Sequence, residues 1–124
     1  LELEFSRNER VGEEIKKAVS EIINNELKDP RIEGLISVTK VDLTKDLRHA
    51  KIYLSIFGDE QTKNRTFEAI KNAEGFIRRG LASRIRLRFI PEISLKIDDS
   101  IQYGIKISKL LDQVNKNTFG DEND

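Results

Sequence analysis

The residues with the clearest chemical potential are bases. Between positions 71 and 96 stand Lys71, Arg78, Arg79, Arg84, Arg86, Arg88 and Lys96 against only Glu74 and Glu92, a local charge of +5 in a chain whose net charge is zero. A guanidinium presents a planar fork that matches phosphate oxygens and stacks on nucleobases, so such a run suits RNA. Each phosphate neutralised in this way releases counterions, which makes the contact salt-sensitive. Placing Ile77, Leu81 and Ile85 inward on one helix sets Arg79 and Arg86 roughly opposite, toward solvent. Arg78 and Arg84 then sit at the flanks, and Lys71 lies on the preceding helix. On the residues alone, a merely solvated helix face is the commoner source of such a run. The charge balance is also dipolar, because residues 98–124 hold six acids against three lysines. A chain of this kind presents one basic face while staying neutral overall.

The other reactive groups read as structural. His49 is the sole histidine and there is no cysteine, so a His/Cys metal site and a disulfide framework are both unavailable. Asp98-Asp99 is a carboxylate pair of the kind that performs acid–base work, but ahead of Ser100 it reads as a helix cap. Asp42 and Asp46 flank a turn and read as acceptors for local amides. Arg7 and Arg10 read as solvated N-terminal charges. The sequence holds no glycine-rich phosphate loop, dinucleotide fingerprint or serine-nucleophile motif. No catalysis, cofactor, metal or small-molecule substrate is expected.

These groups need a scaffold, and 124 residues fit one domain. No apolar run approaches the roughly 18 residues of a membrane span, and the absence of cysteine fits a reducing, cytoplasmic compartment. The chain contains no Met, so residues 1–5 read as a processed end. Ser6 to Glu9 has the S-x-x-E spacing of a capping box and predicts a helix start. Val11, Ile15, Ala18, Ile22, Ile23 and Leu27 give that helix one apolar stripe, and Asp29-Pro30 stops it. Leu35 to Thr44 is a strand whose inward set shifts from Ile36 and Val38 to Val41 and Leu43. That change of parity predicts a bulge at Thr39 or Lys40. A polar turn leads to a second strand with Ala50, Ile52, Leu54 and Ile56 inward, and the two form an antiparallel hairpin. A helix from about Thr62 turns Phe67, Ile70 and Ala73 inward. Gly75 interrupts it, predicting two helical pieces. Ile93, Leu95 and Ile97 alternate as a third strand. A last helix from Asp98-Asp99-Ser100 has Ile101, Ile105, Leu110, Leu111 and Val114 on its apolar face, and residues 115–124 form an acidic tail with the composition of a disordered segment. The predicted fold class is two-layer α+β, in the order α-β-β-α-(kink)-α-β-α, with a three-stranded sheet covered by helices.

Four stretches now carry a family likeness: Arg7 to Gly12, Val38 to Tyr53 (VTKVDLTKDLRHAKIY), Ala73 to Arg78 (AEGFIR) and Leu87 to Ser100 (LRFIPEISLKIDDS). In this order the chain resembles the ribosome-binding factor A family across residues 6–114. The resemblance implies a KH type II domain in which the backbone-clamping GxxG loop is replaced by an Ala-x-Gly helix-kink-helix, here Ala73-Glu74-Gly75. It also implies binding to the small ribosomal subunit and its rRNA, late subunit maturation, precursor rRNA processing and cold adaptation. It weights Lys71, Arg78, Arg79, Arg84 and Arg86 toward RNA contact, with no membrane partner and a monomer as the simplest state. The near-neutral charge keeps a second function open, a protein-interaction module on the same α+β fold without direct RNA contact.

Overall fold

The computed structural model describes residues 2–99 and 108–114. Helix α1 (Glu2–Glu21) turns Val11, Ile15, Ala18 and Val19 inward, and a π-helical turn (Ile22–Glu26) adds Ile22 and Ile23. Each fully buried aliphatic side chain of this stripe contributes ~1.5–3 kcal/mol by leaving water. Both ends differ from the sequence reading. The helix is under way from Glu2, so Ser6 lies inside it rather than at its cap. At the other end Leu27 is already extended, and its N–H reaches back five residues to Ile22 O at 3.2 Å. The chain therefore leaves the helix before Asp29-Pro30.

Strand β1 (Ile36–Leu43) pairs antiparallel with β2 (His49–Ile56). Val38 faces Leu54 and Lys40 faces Tyr53, which leaves Thr39 as the extra residue. This is the bulge that the parity change predicted; it returns Val41 and Leu43 to the face used by Ile36 and Val38. The Thr39 hydroxyl donates to Asp98 Oδ2 at 2.6 Å, tying the bulge to the far end of β3 (Glu92–Ile97). β3 runs parallel to β2 on its other edge, giving a mixed sheet in the order β1-β2-β3. The Asp46 carboxylate accepts from Arg48 N–H and Thr44 Oγ1 in the hairpin turn, as expected, and these bonds hold it below the usual carboxylate range. Asp42 instead forms an ion pair with Lys40 at 3.5 Å.

Helix α2 (Glu60–Asn72) starts ahead of Thr62, because Asp59 Oδ1 accepts the Thr62 N–H at 2.7 Å as its cap. Its inner face is Thr66, Ala69 and Ile70. Phe67 and Ala73, expected inside, are only half-buried. Thr66 is fully buried, and its hydroxyl meets Arg31 O, Glu33 O and Glu33 N–H within 3.3 Å. A polar residue is tolerated there because it satisfies the backbone of the loop that passes over it. Ile77 and Leu81 of α3 (Glu74–Arg84) complete the core, with Ile15, Ile22, Ile52, Leu54 and Ile70.

Residues 108–114 form a further helix, α4. Leu110, Leu111 and Val114 are about half exposed or more, so the apolar face expected there is not buried. Ser100, Ile101, Ile105 and the acidic tail lie outside the described residues.

Candidate nucleic-acid interface

The break between α2 and α3 falls on Ala73, not on Gly75. Ala73 leaves helical geometry (φ −93°, ψ 12°), its N–H reaches Ile70 O and Lys71 O, and α3 begins at the next residue. Glu74 occupies the first turn of α3, where an acid complements the positive end of the helix. Gly75 lies inside α3, exposed and without a positive φ. A Cβ there would meet the Arg79 guanidinium at an ordinary 3.5 Å. The glycine that the packing requires is Gly80. A Cβ on it would stand 2.6 Å from Ile22 Cδ1, so Gly80 is what lets α3 approach the π-turn of the first helix.

α3 and the loop after it divide the predicted bases into two groups. The Arg78 guanidinium donates from Nε to Pro91 O (3.3 Å) and from Nη2 to Ile90 O (3.2 Å), fastening the α3–β3 loop to the helix. Arg84 pairs with Glu26 and, at 3.9 Å, with Glu21, and it donates to Gly80 O at 3.1 Å. Both side chains are employed within the fold. Lys71, Arg79 and Arg86 are exposed and form no ion pair among the described residues. Arg79 stands opposite the buried Ile77 and Leu81, as its spacing predicts. Arg86 does not share that helix, because Ile85 is extended (φ −119°, ψ 132°) and ends α3. It projects from the loop instead, one residue after the buried Ile85.

Three unneutralised cations on one connected segment can hold a polyanion through its phosphates. A groove elsewhere on the molecule suits this less well. It has a volume of about 1050 Å³ between α1 and β1 and is lined by Arg7, Lys16, Lys40 and Lys45, but also by Glu9, Glu13 and Asp42. Arg7 lines that groove together with these acids. Among the described residues no group of three His, Cys, Asp or Glu is placed to hold a metal ion, and no helix is long and apolar enough to cross a membrane. His49 is exposed at the start of β2, with its backbone tied to Thr44.

The family model for ribosome-binding factor A matches residues 7–111. The ribosome-binding factor A of Clostridium tetani is 55% identical over 108 residues, covering 87% of this chain and 89% of the relative. The crystal structure of ribosome-binding factor A from Thermus thermophilus superposes with a TM-score of 0.61 at 30% identity, over 71% of this chain and 91% of that one. A homology model of the Thermus thermophilus protein, fitted into the cryo-EM map of a 30S–RbfA complex, superposes with a TM-score of 0.57 at 30% identity, over 69% and 89%. A family model spanning most of the chain, a relative identical at more than half of the aligned positions and the shared α+β fold agree: this chain belongs to the ribosome-binding factor A family.

Proposed function

We propose that this protein is a non-catalytic, cytoplasmic assembly factor that binds the small ribosomal subunit through its rRNA, as a monomer, on a KH type II-like domain. The observation that carries this reading is the unpaired, exposed set of Lys71 on α2, Arg79 on α3 and Arg86 in the loop after α3, beside Arg78 and Arg84, which the fold itself consumes. The family is named for ribosome binding, and its Thermus thermophilus member has been placed in a 30S complex. Late subunit maturation, precursor rRNA processing and cold adaptation belong to the same reading. So does a role for the Ala73-Glu74-Gly75 corner in presenting Arg79, whose guanidinium leans back over Gly75. Sedimentation of the protein with isolated small and large subunits, at low and high salt, tests it. Selective co-migration with the small subunit that is lost at high salt is expected. No association at low salt, even with immature subunits, removes the reading.

One observation favours a protein partner instead. Leu35 and Phe57, joined by a backbone hydrogen bond of 2.9 Å, expose 75% and 80% of their surface at the end of the hairpin. Retention of partners in nuclease-treated pull-downs supports that alternative; their loss supports RNA.

A further inference from the structure

Phe89 lies in the loop between α3 and β3 and is 55% exposed. Two guanidinium groups stand over its ring. Arg48, from the β1–β2 turn, has its Cζ 4.9 Å from the ring centroid, and Arg88 has its Cζ 5.6 Å away. Neither forms an ion pair among the described residues. Phe57 and Phe76 are exposed too, yet no cation stands over either ring among those residues. Lys40 Nζ stands 5.7 Å from the Tyr53 ring centroid, but among the described residues Phe89 is the one ring with two cations over it.

It is also held in place. The Glu92 N–H donates to Arg48 O at 2.8 Å, locking the hairpin turn to the start of β3. The Arg48 N–H is held by Asp46 Oδ1 at 3.1 Å, and Arg78 fastens Ile90 and Pro91 to α3. Two acids lie nearby in sequence. Asp46 is turned toward Thr44 and the Arg48 amide, while Glu92 is exposed on β3. Neither acid forms an ion pair with Arg48 or Arg88 among the described residues.

An exposed ring flanked by unpaired arginines, on a loop pinned by backbone bonds, is what a stacking contact to an unpaired base requires. Aromatic faces accept any base, arginines hold the adjoining phosphates, and pre-ordering lowers the cost of binding. In an A-form duplex the base faces are covered by their neighbours, so duplex RNA has nothing to offer the ring. We propose that Phe89, Arg48 and Arg88 form a subsite for one unpaired base of single-stranded RNA. The base stacks on Phe89, and the guanidinium it displaces turns to the flanking phosphate. This rests on the RNA-binding reading above and specifies the strand state it recognises at this site.

The chain has no tryptophan, so Phe89→Trp in the full chain places a single reporter at the subsite. Its fluorescence is expected to be quenched by an unstructured oligouridylate and not by a loopless, blunt-ended RNA duplex of equal charge. Phe89→Ala is expected to weaken oligouridylate binding on the order of tenfold, the usual loss for one stacked base. Its melting temperature should stay near that of the parent, because more than half the ring is already in water. Arg48→Ala and Arg88→Ala are each expected to reduce the salt slope of binding by about one phosphate. Unchanged affinity in Phe89→Ala together with an unquenched Phe89→Trp overturns the subsite, and wild-type sedimentation with small subunits would still uphold the basic-face reading. Equal quenching by the duplex also overturns it. A wild-type chain that binds neither oligouridylate nor small subunits at low salt overturns both.

Discussion

Arg78 and Arg84 share a segment with Arg79 and Arg86, and on charge alone the four are equivalent. Their surroundings separate them. Arg78 and Arg84 spend their donors on Ile90 O, Pro91 O, Gly80 O and the acids Glu21 and Glu26. Arg79 and Arg86 meet water. A basic run is therefore not a basic surface until the acids and carbonyls that fold against it are known. The first pair joins elements of the fold, whereas the second stays exposed and without an ion pair among the described residues.

The largest expected effect comes from reversing the free pair. Arg79→Glu with Arg86→Glu should lower small-subunit affinity on the order of hundredfold or more, with circular dichroism and melting unchanged. A lower melting temperature would show that one of the two also supports the fold. Next comes the close approach behind the arginines. Gly80→Ala must displace the Ile22 δ-methyl in a full core, and after the gain in helix propensity it should cost about 1 kcal/mol in denaturant unfolding. Gly75→Ala, with open space and ordinary backbone, should be neutral or stabilising by a few tenths of a kcal/mol. Equal costs at the two glycines would contradict this division of α3.

Of comparable or smaller size is the engaged pair. Arg84→Ala should lower stability by about 1 kcal/mol or less, since it loses partly exposed ion pairs, and it should leave subunit binding near the wild-type value. The smallest effect is in pH. Asp59 caps α2 from the surface, and the Thr62 amide holds its carboxyl below the usual range. A lowered folded value means that its contribution is present above the unfolded value of about 3.9 and is lost as pH falls through the folded one. Thermal melts should therefore show no pH dependence from this group between about pH 5 and 7 and a decline only in strong acid, approximate bounds set by that reference value. Asp59→Ala should flatten part of that decline.

The sequence reveals features that depend on near neighbours. The bulge at Thr39 follows from a parity change within eight residues of one strand, and the helix stripe of Val11 to Ile23 follows from spacing. The α2–α3 break is legible as an event but misplaced onto Gly75, because glycine advertises backbone freedom that this position does not use. What the sequence hides comes from far along the chain. The acids that occupy Arg84 lie more than fifty residues earlier, on α1 and its π-turn. The methyl that demands Gly80 belongs to Ile22, and the turn that brings Arg48 over Phe89 is some forty residues upstream. Thr66 looks like a surface residue until the loop carbonyls of Arg31 and Glu33 are seen above it.

The most direct test of the central claim is sedimentation with small subunits of three proteins side by side: wild type, Arg79→Glu/Arg86→Glu and Arg78→Ala/Arg84→Ala. The account predicts that the first reversal abolishes co-migration in a fully folded protein, while the second pair lowers the melting temperature and still co-sediments. Binding that survives the reversal at Arg79 and Arg86, or that vanishes only with Arg78 and Arg84 in a protein that melts normally, would contradict it.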